Sequence, residues 1–131
     1  MKLSADVNVL VRAVMRDDLV QADIAARTLS EATLIAVALP CLCEFVWVLR
    51  RVYKLPAPDI ACAIRALLAT ANVQTNRAAA EAGLLMLEAG GDFADGVTAY
   101  EGRWLGGETF VSFDKQAVGL LVGQGEAARL L

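Results

Sequence analysis

The sequence predicts an α/β protein built on a parallel sheet with helices on its faces, and three observations carry that prediction. Short aliphatic runs alternate with stretches of helical periodicity, the pattern of strands joined by crossover helices. Alanine and leucine dominate a chain that is 57% apolar and 21% charged, a composition typical of an ordered, helix-rich domain. The length of 131 residues suits about one domain and allows a core without disulfide staples. Residues 1–131 are therefore read as a single domain, with no repeat or linker visible.

The elements follow in order. Leu3 to Val7 reads as a short buried strand, and Asn8 is placed to cap a helix through about Arg16, with Leu10 and Val14 on an apolar face and Arg12 and Arg16 on a basic one. A second helix is expected from Val20 to about Glu31. Thr33 to Leu39 is β-branched and aliphatic enough for a fully buried strand, and Pro40 then suits the first turn of a long helix through Tyr53. Lys54-Leu-Pro-Ala-Pro58 breaks that helix, and another restarts at Asp59 and runs to about Thr70. Val73-Gln74 is a very short strand, and Asn76 precedes a helix that Gly90-Gly91 terminates. Phe93 to about Trp104 is helical, Thr109 to Phe113 is the last clear strand, and the Gly-rich tail is a weak helix or turn.

Missing residues exclude several chemistries. The chain has no histidine, which removes Ser-His-Asp and Cys-His nucleophilic catalysis and the histidine zinc sites. Cys41, Cys43 and Cys62 are odd in number and lack C-x-x-C spacing, so they are expected to be buried reduced thiols. The longest uncharged apolar run, Ala32 to Cys43, contains Pro40 and falls short of the ~18 residues that a membrane span needs. With no signal-like stretch at the N-terminus, a soluble, cytoplasmic protein is expected. A formal net charge of −3 offers no general attraction to polyanions.

Carboxylates remain as the candidate chemistry. Asp6 follows the first apolar strand, Glu44 sits inside Cys41-Leu-Cys-Glu-Phe-Val-Trp47, Asp95 lies in Phe93-Ala-Asp-Gly-Val97, and Asp114 closes Thr109-Phe-Val-Ser-Phe-Asp114. An isolated ionised carboxylate among apolar neighbours costs several kcal/mol and is paired, protonated or metal-bound. The expectation is that the four acids meet at the carboxyl edge of the sheet, where open parallel sheets bind ligands, and share a divalent cation.

The strand Ser4-Ala-Asp-Val-Asn-Val-Leu10, the helix start Pro40-x-x-x-Glu44, the helix opening Phe93-Ala-Asp-Gly96 and Phe110-Val-Ser-Phe-Asp-Lys115 together resemble the PIN-domain ribonucleases. They are most similar to the VapC-type toxins of bacterial toxin–antitoxin pairs, over nearly the whole chain. The resemblance implies a three-layer α/β/α sandwich around a central, mostly parallel sheet and Mg²⁺ or Mn²⁺ at the acidic pocket. It also implies hydrolysis of RNA, dimerisation, and inhibition by a cognate antitoxin. Val7 stands where the family usually has a Thr or Ser that orients the acids, while Asn8 matches; loss of such a supporting bond commonly costs ~10–100-fold in affinity or activity.

The reading that follows is metal-assisted phosphodiester hydrolysis. Asp6, Asp95 and Asp114 are the expected ligands, with Glu44 a ligand or the proton acceptor for the attacking water. Asp92 and Asn8 are auxiliary, and Ser112 is a candidate to orient Asp114. Alternatives stay open. Asp6, Asp92 and Asp114 can each be plain helix caps, and the arginines at 12, 16, 50 and 51 with Lys54 can be either a solvated face or contacts to RNA phosphates. A catalytically silent module that binds RNA or antitoxin is a competing function. A phosphoacceptor receiver-like domain is a weaker one, because Asp6 stands without the second strand-end acid that fold needs.

Overall fold

In the computed structural model, which describes residues 1–131, the chain divides into two units, 1–77 and 78–131. The architecture is mixed α/β with parallel strands. The strands form two sheets, one in each unit, where the sequence predicts one.

The first unit runs β1 (Lys2–Ser4), α1 (Val7–Met15), α2 (Leu19–Glu31), β2 (Leu34–Ala36), α3 (Leu39–Arg51), α4 (Ala57–Leu68) and β3 (Val73–Gln74). Its sheet has the order β1-β2-β3 and is parallel throughout, with Leu3 opposite Ile35 and Ile35 opposite Val73. Parallel neighbours need crossover connections, and here each crossover carries two helices. Helix α1 packs on α2 and α3, and α3 packs on α4. Leu10, Ile35, Leu42, Phe45, Leu49, Ile60 and Ile64 are each at most 2% exposed, whereas Val14, expected on the apolar face with Leu10, is 46% exposed.

The second unit takes in α5 (Arg77–Glu88), which begins at the boundary, then α6 (Phe93–Trp104), β4 (Phe110–Ser112), α7 (Lys115–Gly123) and β5 (Ala128–Leu130). Strands β4 and β5 pair in parallel across α7. Met86, Ala99, Ala117 and Leu121 form its core, with Phe110, Leu120 and Ala128 packed against them. Helices α5 and α6 cross very closely. A Cβ at Gly96 would stand 2.3 Å from the Ala82 carbonyl oxygen, and one at Gly83 would meet the Phe93 ring at 2.6 Å. Glycine at both places lets the backbones meet.

Several boundaries differ from the sequence reading. Strand β1 ends at Ser4, so Val7 opens a helix instead of closing a strand, and Asp6, not Asn8, holds the N-cap position. Strand β2 is only three residues long. Helix α4 starts at Ala57 with Pro58 in its first turn, which Pro tolerates because an N–H there has no helical partner. Strand β5 was not expected; the tail Ala128–Leu130 pairs with β4, a long-range contact that local periodicity does not reveal. Cys62 is exposed, and Cys41 and Cys43 are half-buried free thiols. Trp104, at the end of α6, is 76% exposed. No helix is long and apolar enough to cross a membrane.

Candidate functional site

The first unit brings Asp6 and Glu44 to one place. After β1 the chain stays paired for one more residue, with the Ala5 N–H donating to the Ala36 carbonyl at 3.0 Å. Asp6 then turns the chain into α1, its own carbonyl accepting from the N–H groups of Val9 and Leu10. Its side chain makes no capping hydrogen bond. Helix α3 begins three residues beyond β2, at the same carboxyl end of the sheet, with Pro40 in its first turn and Glu44 just after. Near both acids lies Cys41, whose thiol donates to the Ala5 carbonyl at 3.4 Å. Burial pushes the Cys41 thiol upward in pKa, and the negative charges of Asp6 and Glu44 push it further. The thiol therefore keeps its proton, and both carboxylates act on the same sulfur.

The second unit gathers Asp92, Asp95 and Asp114. Asp92 caps α6 by accepting from the Ala94 N–H at 3.0 Å, and Asp95 follows in the first turn. Asp114 caps α7, its Oδ1 accepting from the N–H groups of Gln116 at 3.0 Å and Ala117 at 3.1 Å. The Ser112 hydroxyl accepts from the Asp114 N–H at 2.9 Å, so it fixes the turn's backbone and not the carboxylate. The Gln116 side chain reaches the Gly90 carbonyl at 3.0 Å, which ties the start of α7 to the loop before α6. Asp95 is held above the ordinary carboxylate range, first by desolvation and then by the charges of Asp92 and Asp114.

The capping reading thus holds for Asp92 and Asp114, and each keeps a second carboxylate oxygen beyond the one that caps. The premise that the acids are buried does not hold. Asp6, Glu44 and Asp114 are exposed, Asp95 is half-buried, and no polar or charged residue is fully buried. Desolvation raises the Asp95 carboxyl. Val7 is buried at 7% exposure, so the missing hydroxyl is replaced by an apolar anchor for the start of α1. Asn8 lies in the first turn of α1, exposed.

Two of the arginines offered as phosphate contacts are engaged elsewhere. Arg12 donates to Gln21 at 2.8 Å and to Tyr53 at 3.1 Å and pairs with Asp17 at 3.3 Å, while Tyr53 donates to Asp17 at 2.8 Å. Arg16 pairs with Asp23 at 2.7 Å. These contacts join α1 to α2 and to the segment that follows α3 and favour the structural reading of that basic face.

The sequence reading missed a site role for Cys41, which it took for a buried reduced thiol and which is half-buried. The available signal was spacing: Cys41 precedes Glu44 by three residues, so the two share a helix face. It also missed the Gln116 tie, which nothing local announces. Within neither unit do three or more His, Cys, Asp or Glu side chains form a group that could hold a metal ion. The donors present are carboxylate oxygens, the type that hard divalent cations take, and Asp95 sits where a positive charge would relieve repulsion. In that chemical sense the residues fit Mg²⁺ or Mn²⁺. Compared with protein-family models and with curated protein sequences, the chain gives no match.

Proposed function

We propose that the chain is a metal-dependent endoribonuclease of the PIN type, and the toxin of a toxin–antitoxin pair held in check by a cognate antitoxin. The observation that carries this reading is position: Asp6 and Asp114 each stand two residues beyond the end of a parallel strand, and Glu44 lies just inside the helix after another, the edge at which such sheets bind ligands. The reading includes a three-layer α/β/α sandwich around a central sheet and a homodimer. Asp6, Asp95 and Asp114 would hold Mg²⁺ or Mn²⁺, with Glu44 as a further ligand or the proton acceptor. A bound ion of this class neutralises phosphate charge and acidifies water. The chain's own part is to hold the carboxylates: the cap bonds fix Asp114, the helix start at Pro40 presents Glu44, and Asp95 waits with its negative charge uncompensated.

The test is incubation of the purified protein with structured RNA in Mg²⁺ or Mn²⁺ and then in EDTA, with Asp6→Asn and Asp95→Asn alongside. Cleavage that needs the ion and both aspartates is expected; cutting by both variants at the wild-type rate sinks the site assignment. A silent binding module is the second reading, favoured by Val7 and by the use of Asp92 and Asp114 as caps. RNA binding without cleavage in either metal would select it.

A further inference from the structure

We propose that Cys41 is a positioning residue whose thiol, donating to the Ala5 carbonyl, ties the end of β1 to the first turn of α3 and so fixes the Asp6 carboxylate against that of Glu44. This rests on the nuclease reading of the site. The geometry is specific. The Ala5 peptide is held on both sides, its N–H on the Ala36 carbonyl of β2 at 3.0 Å and its C=O on Cys41 Sγ at 3.4 Å. Asp6 is the next residue, and its side chain makes no capping bond. The position after it, Val7, is apolar and buried and has no hydroxyl to orient a carboxylate. On α3, Cys41 and Glu44 are three residues apart and so neighbours on one face. One weak bond therefore reaches the residue before the first acid from the residue one turn before the second. A thiol is a weak donor, so its loss should disturb register more than stability.

The experiment uses the full chain with Cys43→Ala and Cys62→Ala, leaving one thiol. Its infrared S–H stretch is expected at a lower frequency than that of an unbonded thiol. Mn²⁺ affinity, read by the spin resonance of the free ion, and RNA cleavage are then compared for Cys41, Cys41→Ala and Cys41→Ser, with circular dichroism as a check on folding. Cys41→Ala should weaken Mn²⁺ binding by about tenfold, as loss of a supporting bond to a ligand does, and Cys41→Ser, which keeps a donor there, should recover most of it. An S–H band at the unbonded frequency, unchanged Mn²⁺ affinity in Cys41→Ala, or a Cys41→Ser as impaired as Cys41→Ala would each overturn the proposal. A failure of the nuclease reading looks different: the parent protein itself neither takes up Mn²⁺ nor cuts RNA, and both ideas then fall.

Discussion

The acid pair of the first unit and the acid trio of the second reach high negative charge by different routes. In the trio, Asp92 and Asp114 are fixed by hydrogen bonds to helix N-termini, which hold the carboxylates in place and partly compensate their charge. Asp95 has no such bond among its described partners and takes the remaining repulsion. In the pair, Asp6 holds an N-cap position but its side chain makes no capping bond, and the connection runs through backbone and a thiol. The lesson is that a carboxylate acting as a cap is not thereby excluded as a ligand, since one oxygen serves the helix and the other is left for a cation.

The largest expected effect asks whether pair and trio serve one reaction. If they do, Asp6→Asn and Asp95→Asn should be equally severe, each lowering metal-dependent cleavage of RNA by at least the ~10–100-fold that loss of a mere supporting partner costs. Measured initial rates that leave Asp6→Asn near wild type while Asp95→Asn is dead would break the comparison and confine the chemistry to the trio.

The next effect concerns what holds the trio in place. Gly96 follows Asp95 directly, and a Cβ there would lie 2.3 Å from the Ala82 carbonyl oxygen. Gly96→Ala should therefore push α5 and α6 apart and destabilise the protein by about 1–3 kcal/mol, the usual cost of overpacking, seen as a lower midpoint in urea unfolding. Gly102 has open space where its Cβ would be, so Gly102→Ala, in the same helix, serves as the control and should be neutral or slightly stabilising.

Much of this was legible in the sequence, and what was not has physical causes. Helix α6 could be placed from Asp92 and the periodicity after it, and α2 and α5 to within a residue or so, because capping and period are local signals. The carboxyl-edge positions of Asp6 and Asp114 followed from strand-then-helix order. Strand β5 was illegible because pairing between Phe110 and Ala128 is a long-range choice made by tertiary packing. The exposure of Asp6 and Glu44 was illegible for a related reason: apolar neighbours in sequence point to other faces of a helix, so Phe45 and Val46 are buried while Glu44 between Cys43 and Phe45 is not. The fate of Arg12 depended on Tyr53, forty-one residues away.

A smaller effect separates the two roles of Asp114. Asp114→Ala removes the bonds to the Gln116 and Ala117 N–H groups and should cost about 1 kcal/mol of stability, as loss of an N-cap does. Asp114→Asn keeps an acceptor oxygen and should stay close to wild type in stability. If the residue also serves the cation, both variants lose cleavage alike. Thermal unfolding beside cleavage rates gives the answer, and an active, stable Asp114→Asn would reduce this residue to a cap.

The smallest effect is the pH dependence carried by Asp95. Its folded pKa lies above the ordinary value of 3.8, through desolvation and then the charges of Asp92 and Asp114. A carboxyl that is harder to ionise in the folded state binds its proton there more tightly than in the unfolded chain. Its contribution to stability is therefore fully present below about pH 3.8 and is lost as pH rises through the raised folded value. Other carboxylates titrate in the same range, so the informative quantity is the difference in unfolding free energy between wild type and Asp95→Asn. Relative to wild type, Asp95→Asn should gain stability as pH rises across that window and hold the gain at neutral pH. Added Mn²⁺ should narrow the gap by stabilising only the protein that keeps the carboxylate, in the proportion set by mass action. A difference that stays flat from pH 3 to 7 would mean that the trio is too well solvated to repel, and the contrast between the two acid groups would then disappear.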